Sequence, residues 1–485
     1  MSQNHVRSSL AFSFLEKYIA FVIQLISSMI VARLITPEQF GIFAIAFSIV
    51  SFTQAIRDMG TNSYIIQKTC LIAPDVRACL FVGFIVAASI SVILLFTSGL
   101  IGKLYGPDVL SAVFILIFNL FLMPISSTIF AVLQREMRFD LLLRINIAGA
   151  IANSGCAIAL AAAGWGAVSL AWACVAGQLA SALGAALSRP HREHFFPSYV
   201  GAKEVFRFGS VVMLGTLLSQ ISTNIANLIT ARFVTLEALG LYNRAQSVSS
   251  LFSRLIMDAI NPIMLPLFSN LQRENSGMSQ KVLDILSLLA VITWPFTCLL
   301  SICSEPFIVV MFGDQWRDAA ILLRLIAIGG LFWIIPSVAN PVLVAMGRAK
   351  DVLHIQLINQ IIAIVGVTVA AMQGIEIVAF AVIPISALHS YVWLYYTQTV
   401  IGVHIGQVVR SLCKSAVITI VTLAAVGCVM IVGDGATPLE KLVFAVSAAG
   451  LSWFVAVFIL RHPIASEVSR LALYAKRTAI RRVGA

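Results

Sequence analysis

Charged residues are scarce in this chain. Asp, Glu, Lys and Arg make up 11% of its 485 residues, whereas 60% are hydrophobic and the mean hydropathy is +0.97. A soluble protein of this length could not bury so much apolar surface. The net charge of +11 does not indicate a nucleic-acid partner, because the charges lie mainly in short segments between apolar runs and at the C-terminal end. The composition predicts an all-α polytopic membrane protein.

Patterns typical of metal sites and disulfide frameworks are also missing. None of the eight cysteines stands in a CxxC or Cys/His spacing, and most lie in or beside apolar runs, so we interpret them as packing residues. His191 and His194 are three residues apart in a basic segment, which is more typical of solvated loop histidines than of metal ligands. We therefore expect no metal site, and no cofactor other than a coupling ion.

Polar segments long enough to form an aqueous catalytic domain are missing as well. The segments predicted to face the outer side are only about 3–15 residues long. Membrane-bound glycosyl polymerases and ligases usually carry their catalytic residues in a substantial outer loop. The chain is therefore not expected to be an enzyme.

What the chain does contain is an internal repeat. The segment 32–41, Ala-Arg-Leu-Ile-Thr-Pro-Glu-Gln-Phe-Gly, returns 199 positions later as Ala-Arg-Phe-Val-Thr-Leu-Glu-Ala-Leu-Gly, and eight of the twenty positions from 32 to 51 are identical in the two copies. Pro124 and Pro336, 212 positions apart, give a second correspondence, and each precedes a basic turn. Two halves in the same direction are the plan of a transporter that works by alternating access around a central cavity.

Fourteen apolar runs are long enough to cross about 30 Å of hydrocarbon as helices. They cover about residues 8–34, 40–57, 78–101, 109–133, 141–163, 165–188, 205–231, 237–266, 282–304, 318–346, 352–372, 375–399, 408–432 and 439–460. With a cytoplasmic N-terminus, 23 of the 32 Lys and Arg residues fall on the cytoplasmic side, 5 on the outer side and 4 within spans. This bias predicts an even number of spans and cytoplasmic N- and C-termini.

The repeat divides the chain into two lobes and an appendage. We expect an N-lobe of spans 1–6 over residues 1–188 and a C-lobe of spans 7–12 over 205–400, related by a pseudo-two-fold axis and joined by the cytoplasmic linker 189–204. Spans 13 and 14, within 401–462, have no counterpart in the first half. The tail, 463–485, is basic, and either lies on the anionic inner leaflet or only adds to the positive charge inside.

Polar side chains follow one face of spans 1, 2, 7 and 8, which are the paired elements of the repeat. Ionisable groups within a membrane are costly and usually face a cavity, and Arg suits the phosphate oxygens of an anionic head group. The predicted substrate-binding residues are Lys17, Gln24, Arg57, Gln220, Asn224, Asn227, Asn243, Arg244 and Arg254. The acidic residues predicted to tune the field or to bind a coupling H⁺ or Na⁺ are Glu16, Asp58 and Asp258.

Structural interpretations of the same residues stay open. Ser, Asn and Gln also hold membrane helices together by hydrogen bonds. Arg57 and Asp58 can simply mark the cytoplasmic end of span 2, and Arg254 can pair with Asp258 at i,i+4. Arg244 can instead extend its guanidinium to the outer face.

Several segments resemble the Wzx-type flippases, the polysaccharide-transporter branch of the multidrug/oligosaccharidyl-lipid/polysaccharide exporter superfamily. The segments that carry the resemblance are Ser-Ser-Met-Ile-Val-Ala-Arg-Leu-Ile-Thr-Pro-Glu-Gln-Phe-Gly at 27–41, Leu-Gly-Leu-Tyr-Asn-Arg-Ala at 239–245, the turn 133–139, and the approach to span 10 from Trp316 to Arg324. The resemblance covers about residues 8–400, and spans 13 and 14 are less distinctive.

The resemblance implies a function. Such proteins move an undecaprenyl-diphosphate-linked oligosaccharide from the inner to the outer leaflet of the bacterial inner membrane, for exopolysaccharide, capsule or O-antigen synthesis. It implies that Lys17, Arg57, Arg244 and Arg254 are the positions suited to hold the diphosphate. It also adds a polysaccharide polymerase and a chain-length regulator as partners.

Two other function classes stay open. A cation-coupled multidrug exporter of the same superfamily would need a net acidic and aromatic site, whereas the charges within these spans lean positive. A membrane-embedded polysaccharide polymerase or ligase is the third class, and the short outer segments argue against it.

Overall fold

The structure is a computed structural model of the chain. It describes residues 3–57, 61–68, 70–188, 197–207, 209, 227–274, 277–432 and 435–465. Within these it gives the backbone alone for 3–17, 52–57, 252–256, 258–259 and 261–262. The described residues form helices joined by turns, with no β-strand among them.

The first of two compact units spans Met1–Gly240. Its helices are α1 (Gln3–Leu34), α2 (Pro37–Arg57), α3 (Thr61–Gln67), α4 (Ala73–Tyr105), α5 (Pro107–Arg135), α6 (Phe139–Ala162) and α7 (Ala167–Leu187), with further helical residues at 202–207 and 227–233. The core of this unit is formed mainly by α2, α4 and α5, where Ile45, Val50, Val109 and Leu120 are fully buried.

The second unit spans Leu241–Ala485 and begins within helix α8 (Leu236–Glu274). The helices that follow are α9 (Met278–Ile302), α10 (Ser304–Phe312), α11 (Ala319–Gly329), α12 (Ile334–Ala345), α13 (Ala349–Ala371), α14 (Ile375–Ile401), α15 (Ile405–Val432) and α16 (Pro438–Ile459). The predicted spans 13 and 14 are α15 and α16, which pack on α9 through Val291, Ile418, Ala456 and Val457. The predicted linker lies outside the described residues from 189 to 196.

The predicted membrane class is confirmed. Ten helices among the described residues are long and apolar enough to cross a membrane, and the apolar stretches Tyr18–Leu34 and Pro37–Ser51 are shorter. All predicted spans except the seventh coincide with described helices, with ends that differ by at most eight residues. The seventh, 205–231, lies largely outside the described residues.

The tenth predicted span is interrupted. A 3₁₀ turn, Gly330–Trp333, separates α11 from α12 within the continuous apolar run. Gly329 precedes this turn and lies close to α14, since a Cβ at this position would come within 2.7 Å of Val382 Cγ1. A tight helix contact at a glycine therefore coincides with the local change of helix type.

The repeated motif 32–41 forms a corner between two helices. Thr36 caps α2, because its hydroxyl accepts the Gln39 N–H at 3.4 Å while Gln39 Oε1 accepts the Thr36 N–H at 3.2 Å. In the second copy, Thr235 Oγ1 accepts the Ala238 N–H at 3.2 Å at the start of α8. The motif's Thr thus serves as an N-cap and its Glu lies in the first helical turn, where an acidic side chain complements the helix dipole.

The glycines of the two motif copies meet each other. A Cβ on Gly41 would lie 1.9 Å from the carbonyl oxygen of Leu236, and a Cβ on Gly240 would lie 1.9 Å from the carbonyl oxygen of Pro37. The contact is reciprocal, because each glycine touches the first turn of the other helix. Only a residue without a side chain allows two helix backbones to approach this closely.

The repeat extends to the turns that end the helices. Gly106 and Gly313, 207 positions apart, have φ angles of 93° and 99°. Met137 and Gly347, 210 apart, have φ angles of 58° and 72°. In both turns the N–H of the next residue donates to the carbonyl oxygen five residues earlier, one residue further than in an α-helix, from Arg138 to Leu133 and from Arg348 to Leu343 at 2.9 Å. The two units therefore share an order of helices and left-handed turns.

Candidate functional site

The structure describes four of the side chains predicted to form the substrate and coupling sites. These are Gln24, Asn227, Asn243 and Arg244. The residues outside the described part of the chain are Asp58, Gln220 and Asn224. The residues placed only by their backbone are Glu16, Lys17, Arg57, Arg254 and Asp258. The predicted roles of these eight residues stay predictions.

Two of the predicted polar stripes come together in the first unit. Asn227, at the end of predicted span 7, donates from Nδ2 to Ser48 Oγ of α2 at 3.5 Å, and Ser48 is buried. Beside it, the Tyr105 hydroxyl donates to the carbonyl oxygen of Leu228 at 3.4 Å. Gln24 of α1 is exposed. Asn227 and Ser48 thus tie two elements together by a hydrogen bond.

Serines in the polar stripe of α8 donate hydrogen bonds to carbonyl oxygens of the same helix. The Ser247 hydroxyl donates to the Asn243 carbonyl oxygen at 2.7 Å, and the Ser250 hydroxyl donates to the Ser247 carbonyl oxygen at 2.9 Å. Hydroxyls bound in this way let a polar residue lie in a membrane helix at little cost. The serines of this stripe therefore have a structural role, and Asn243 is half-buried beside them.

Arg244 lies in an aromatic cage. Its side chain is 4% exposed, and its Cζ is 4.6 Å from the ring centroid of Phe312 and 4.7 Å from that of Trp316. Both rings are buried; Phe312 is the last residue of α10, and Trp316 lies in the short connection between α10 and α11. A guanidinium over two aromatic faces is a cation–π arrangement that is strong when it is shielded from water. In this conformation the cage, formed by Phe312 and Trp316, covers the charge that was predicted to hold a phosphate.

A basic cluster at the α3–α4 connection was not singled out from the sequence. Lys68 Nζ donates to Asp75 Oδ1 at 2.8 Å and to the Tyr64 hydroxyl oxygen at 2.7 Å. The Asp75 carboxylate, and then the Tyr64 hydroxyl, hold the pKa of Lys68 above its ordinary value. Arg135 Nη1 donates to the carbonyl oxygen of Ile65 at 2.6 Å, and also to that of Lys68, at the end of α3. The sequence marked Lys68 and Arg135 only as positive charges near the cytoplasm.

A buried histidine joins three helices of the second unit. His462, directly after α16, has its Nε2 at 3.1 Å from Ser287 Oγ of α9 and 3.2 Å from Ser415 Oγ of α15. Its Nδ1 accepts the Ile464 N–H at 3.3 Å, so Nε2 carries the proton of the neutral ring. Burial, with a smaller contribution from Lys414, lowers the pKa of His462 to about 4. Neutral His462 thus attaches the end of α16 to α9 and α15.

Metal ligands do not cluster in the described ranges. No group of three or more His, Cys, Asp or Glu side chains there has an arrangement that could hold a metal ion.

Comparison with known proteins identifies the family. A profile of the polysaccharide biosynthesis protein family matches residues 30–321, more than half of the chain. The chain belongs to this family.

Three curated relatives of this polysaccharide biosynthesis protein cover most of its length. The teichuronic acid biosynthesis protein TuaB of Bacillus subtilis is 25% identical over 80% of this chain and 78% of its own. The lipopolysaccharide biosynthesis protein WzxC of Escherichia coli is 25% identical over 92% of both chains, and the succinoglycan biosynthesis transport protein ExoT of Rhizobium meliloti is 22% identical over 81% and 80%.

Solved structures share the fold of this polysaccharide biosynthesis protein. The lipid II flippase MurJ in an inward closed conformation has a TM-score of 0.74, with 14% identity over 94% of this chain and all of that one. An inward-facing multidrug resistance transporter of the MATE family, from the MOP superfamily, has a TM-score of 0.61, with 14% identity over 78% of this chain and 94% of that one. At these identities the likeness shows the fold alone. Together with the family match it confirms the predicted resemblance to the polysaccharide transporters of this superfamily.

Proposed function

We propose that this protein flips a lipid-linked oligosaccharide, an undecaprenyl-diphosphate-linked repeat unit, from the inner to the outer leaflet of the bacterial inner membrane. The unit then serves exopolysaccharide, capsule or O-antigen synthesis. The observation that carries the proposal is the match to the polysaccharide biosynthesis family over 30–321, with named relatives in surface-polysaccharide synthesis along most of the chain. The protein is a transporter in this account and not an enzyme, and it works by alternating access, which the two copies of the repeat predict.

The residue roles are part of the same proposal. Lys17, Arg57 and Arg254 hold the diphosphate, because cationic side chains in a low-dielectric surrounding bind phosphate oxygens strongly. Arg244 keeps its predicted role only if its cage opens during transport. The amides Gln24, Gln220, Asn224, Asn227 and Asn243 face the sugar or hold the spans together. Coupling to H⁺ or Na⁺ would pass through Glu16, Asp58 or Asp258.

The proposal also includes the membrane location and the partner proteins. The positive charge of the predicted inner segments favours cytoplasmic N- and C-termini in the inner membrane. A polysaccharide polymerase and a chain-length regulator are the proposed partners, because the flipped unit has to be polymerised on the outer side. A cation-coupled multidrug exporter is the alternative, and its observation is the similarity of fold to the MATE transporter.

A clean deletion in the source organism tests the proposal. Lipid-linked repeat units and surface polysaccharide are quantified together, with drug sensitivity as a parallel measurement. The proposal predicts that lipid-linked units accumulate and polymer is lost while drug sensitivity is unchanged. Unchanged lipid intermediates and polymer, with increased drug sensitivity, would reject the flippase and favour the drug exporter.

Variants then test the proposed phosphate contact. Arg254→Ala is expected to fold and to abolish surface polymer in the deletion strain, whereas Arg254→Lys keeps the charge and part of the function. Arg317→Ala is the matched control, because Arg317 is exposed and binds only Glu305 and Asp314 among the described residues. Normal polymer from Arg254→Ala would remove this residue from the proposed site.

A further inference from the structure

An ionisable side chain outside every predicted site lies at mid-depth in the described spans of the second unit. His389 of α14 has its Nε2 at 2.9 Å from the carbonyl oxygen of Asn359 in α13. At 1.5 Å per residue, both residues lie about 15 to 21 Å from the ends of their helices. An ionisable group at this depth is a functional feature by default.

The packing of the α13–α14 hairpin sets His389 against α13. Asn359 and His389 are each 15 residues from Gly374 in the connecting turn, so the antiparallel helices bring them to the same level. One turn before His389, Ile385 contacts Gly366 of α13, where a Cβ would come within 2.7 Å of its Cδ1. The next residue, Ser390, is bound elsewhere, to the Phe332 carbonyl oxygen at 2.5 Å.

The hydrogen bond to Asn359 determines which ring nitrogen of His389 carries the proton. A carbonyl oxygen can only accept, so Nε2 carries the proton of the neutral imidazole and Nδ1 is left as the basic atom. Nδ1 has no hydrogen-bond partner within the described ranges. In the same helical turn of α13, Asn359 Oδ1 and Gln360 Nε2 are buried without hydrogen-bond partners among the described residues. Buried polar atoms without hydrogen-bond partners are uncommon and call for an explanation, of which a functional role is one.

No carboxylate on the described neighbouring elements lies near His389. On α13 the ionisable side chains are Lys350, Asp351 and His354, and Asp351 is about 12 Å from Asn359 along the axis. On α14 they are Glu376, about 20 Å from His389, and the tyrosines 391, 395 and 396. On α11 there is the exposed Arg324, and α12 and the turn Gly330–Trp333 carry none. A single basic nitrogen without carboxylates suits a proton better than a metal cation.

The site belongs to one unit. The repeated turns give an offset of 210 in this region, so the equivalents of Asn359 and His389 in the first unit are Gly149 and Leu179. Neither of these residues can bind a proton. If the Asn359–His389 pair only served a packing role common to both copies of the repeat, the first unit would have a similar pair.

We propose that His389 is a proton-binding site through which an inward proton gradient drives the second unit during transport. The proposal rests on the flippase function and adds a coupling residue to it. From the outer side, hydronium gives its proton to Nδ1, where an N–H bond forms as the O–H bond breaks and water leaves. On the inner side, water takes the same proton from Nδ1 and restores the neutral ring. One proton moves inward for each lipid-linked unit that moves outward.

The test compares the full-length protein with His389→Gln, which keeps an amide N–H for the Asn359 carbonyl but cannot take up a proton at neutral pH. His354→Gln, an exposed histidine on α13, is the matched control. In proteoliposomes, one proton per cycle shifts the transport equilibrium of an undecaprenyl-diphosphate oligosaccharide about tenfold per unit of pH gradient. We expect this shift in the unaltered protein and in His354→Gln, and none in His389→Gln, which still flips the lipid downhill.

Three results overturn the proposal. They are a full response of His389→Gln to the pH gradient, an unaltered protein that flips the lipid without responding to that gradient, and a response to a sodium gradient alone. Nuclear magnetic resonance of ring-labelled histidine gives a readout that needs no substrate. One titrating ring signal must disappear in His389→Gln, and its absence from the unaltered protein also overturns the proposal. If no lipid moves under any gradient, the flippase function fails, and the titration alone decides the proton site.

Discussion

At the scale of single residues, the structure gives specific partners to side chains that the sequence marks only as unusual. Arg244 stands out because an arginine within a span is costly, and a cavity was the predicted reason. The structure instead accommodates Arg244 in the cage of Phe312 and Trp316, which lie about 70 positions away in the sequence. The polar spacing of α8 gave no signal for it, because contacts between distant segments depend on tertiary packing.

Removing the caged arginine should destabilise the protein. Arg244→Ala leaves two buried aromatic rings without the guanidinium between them, and we expect a loss of about 1–3 kcal/mol in the free energy of unfolding. Arg317→Ala, which removes an exposed side chain near the same connection, should leave the unfolding temperature almost unchanged. Thermal unfolding in detergent measures both. If Arg244→Ala unfolds like the unaltered protein but abolishes surface polymer, the arginine acts on the substrate and its packing role is wrong.

The junction at His462 predicts a pH dependence of stability. The pKa of His462 is lowered to about 4 in the folded chain, so the unfolded chain takes up the proton first as the pH falls below about 6.5. Stability contributed by the neutral ring is complete above that pH and is lost progressively toward pH 4, by about 2 kcal/mol at pH 5.

His462→Gln removes the titration and keeps an N–H donor for Ser287 and Ser415. Its unfolding temperature should therefore fall less between pH 7.5 and 5 than that of the unaltered protein. Equal slopes for the two proteins in the same detergent would show that His462 does not control this dependence.

At the scale of helices, the repeated motif acts through its backbone. Thr36 and Thr235 cap α2 and α8, and Gly41 and Gly240 allow the two helices to cross at a distance that no side chain permits. The motif is also the segment on which the family resemblance was recognised. Its recurrence is explained by the helix corners and the close crossing.

Alanine at the crossing should be costly. In Gly41→Ala or Gly240→Ala the new methyl group meets a carbonyl oxygen, and we expect a loss of about 1–3 kcal/mol in the free energy of unfolding. Gly155→Ala in α6 is the control, since a Cβ there meets nothing within 4 Å and alanine favours the helix. Equal unfolding temperatures for Gly41→Ala and Gly155→Ala would contradict the close crossing.

The helices themselves were predictable because apolar runs of membrane length are a strong signal. The break of the tenth span at Gly330–Trp333 was not predictable, since the run is apolar throughout and only packing against Val382 distinguishes Gly329. The short helix α3 was also missed, because seven residues are too few for a periodic signal and Arg135 holds its end from a distant position. The substrate site on the polar faces of spans 1, 2, 7 and 8 stays a prediction, and the partners of Asn227, Arg244 and His389 could not be predicted because they depend on the fold.

At the scale of the whole molecule, the family match, the fold and the repeat are consistent with the proposed transport of surface-polysaccharide precursors. The family match covers residues 30–321, and the MurJ fold covers 94% of the chain. In the proposed function, the polar and cationic residues predicted on spans 1, 2, 7 and 8 serve to bind a diphosphate, which needs positive charge. The appended helices α15 and α16 are held to the second unit by a buried core and by His462.

The most direct measurement of this account is translocation by the purified protein alone. Fluorescent undecaprenyl-diphosphate oligosaccharide is placed in proteoliposomes, and a membrane-impermeant glycosidase reports which leaflet holds the sugar over time. If the protein flips this lipid, lipid protected inside becomes accessible at a rate that depends on the protein, and Arg254→Ala abolishes this exposure. If the sugar stays protected with the protein present and folded, the central claim of lipid-linked oligosaccharide flipping is contradicted.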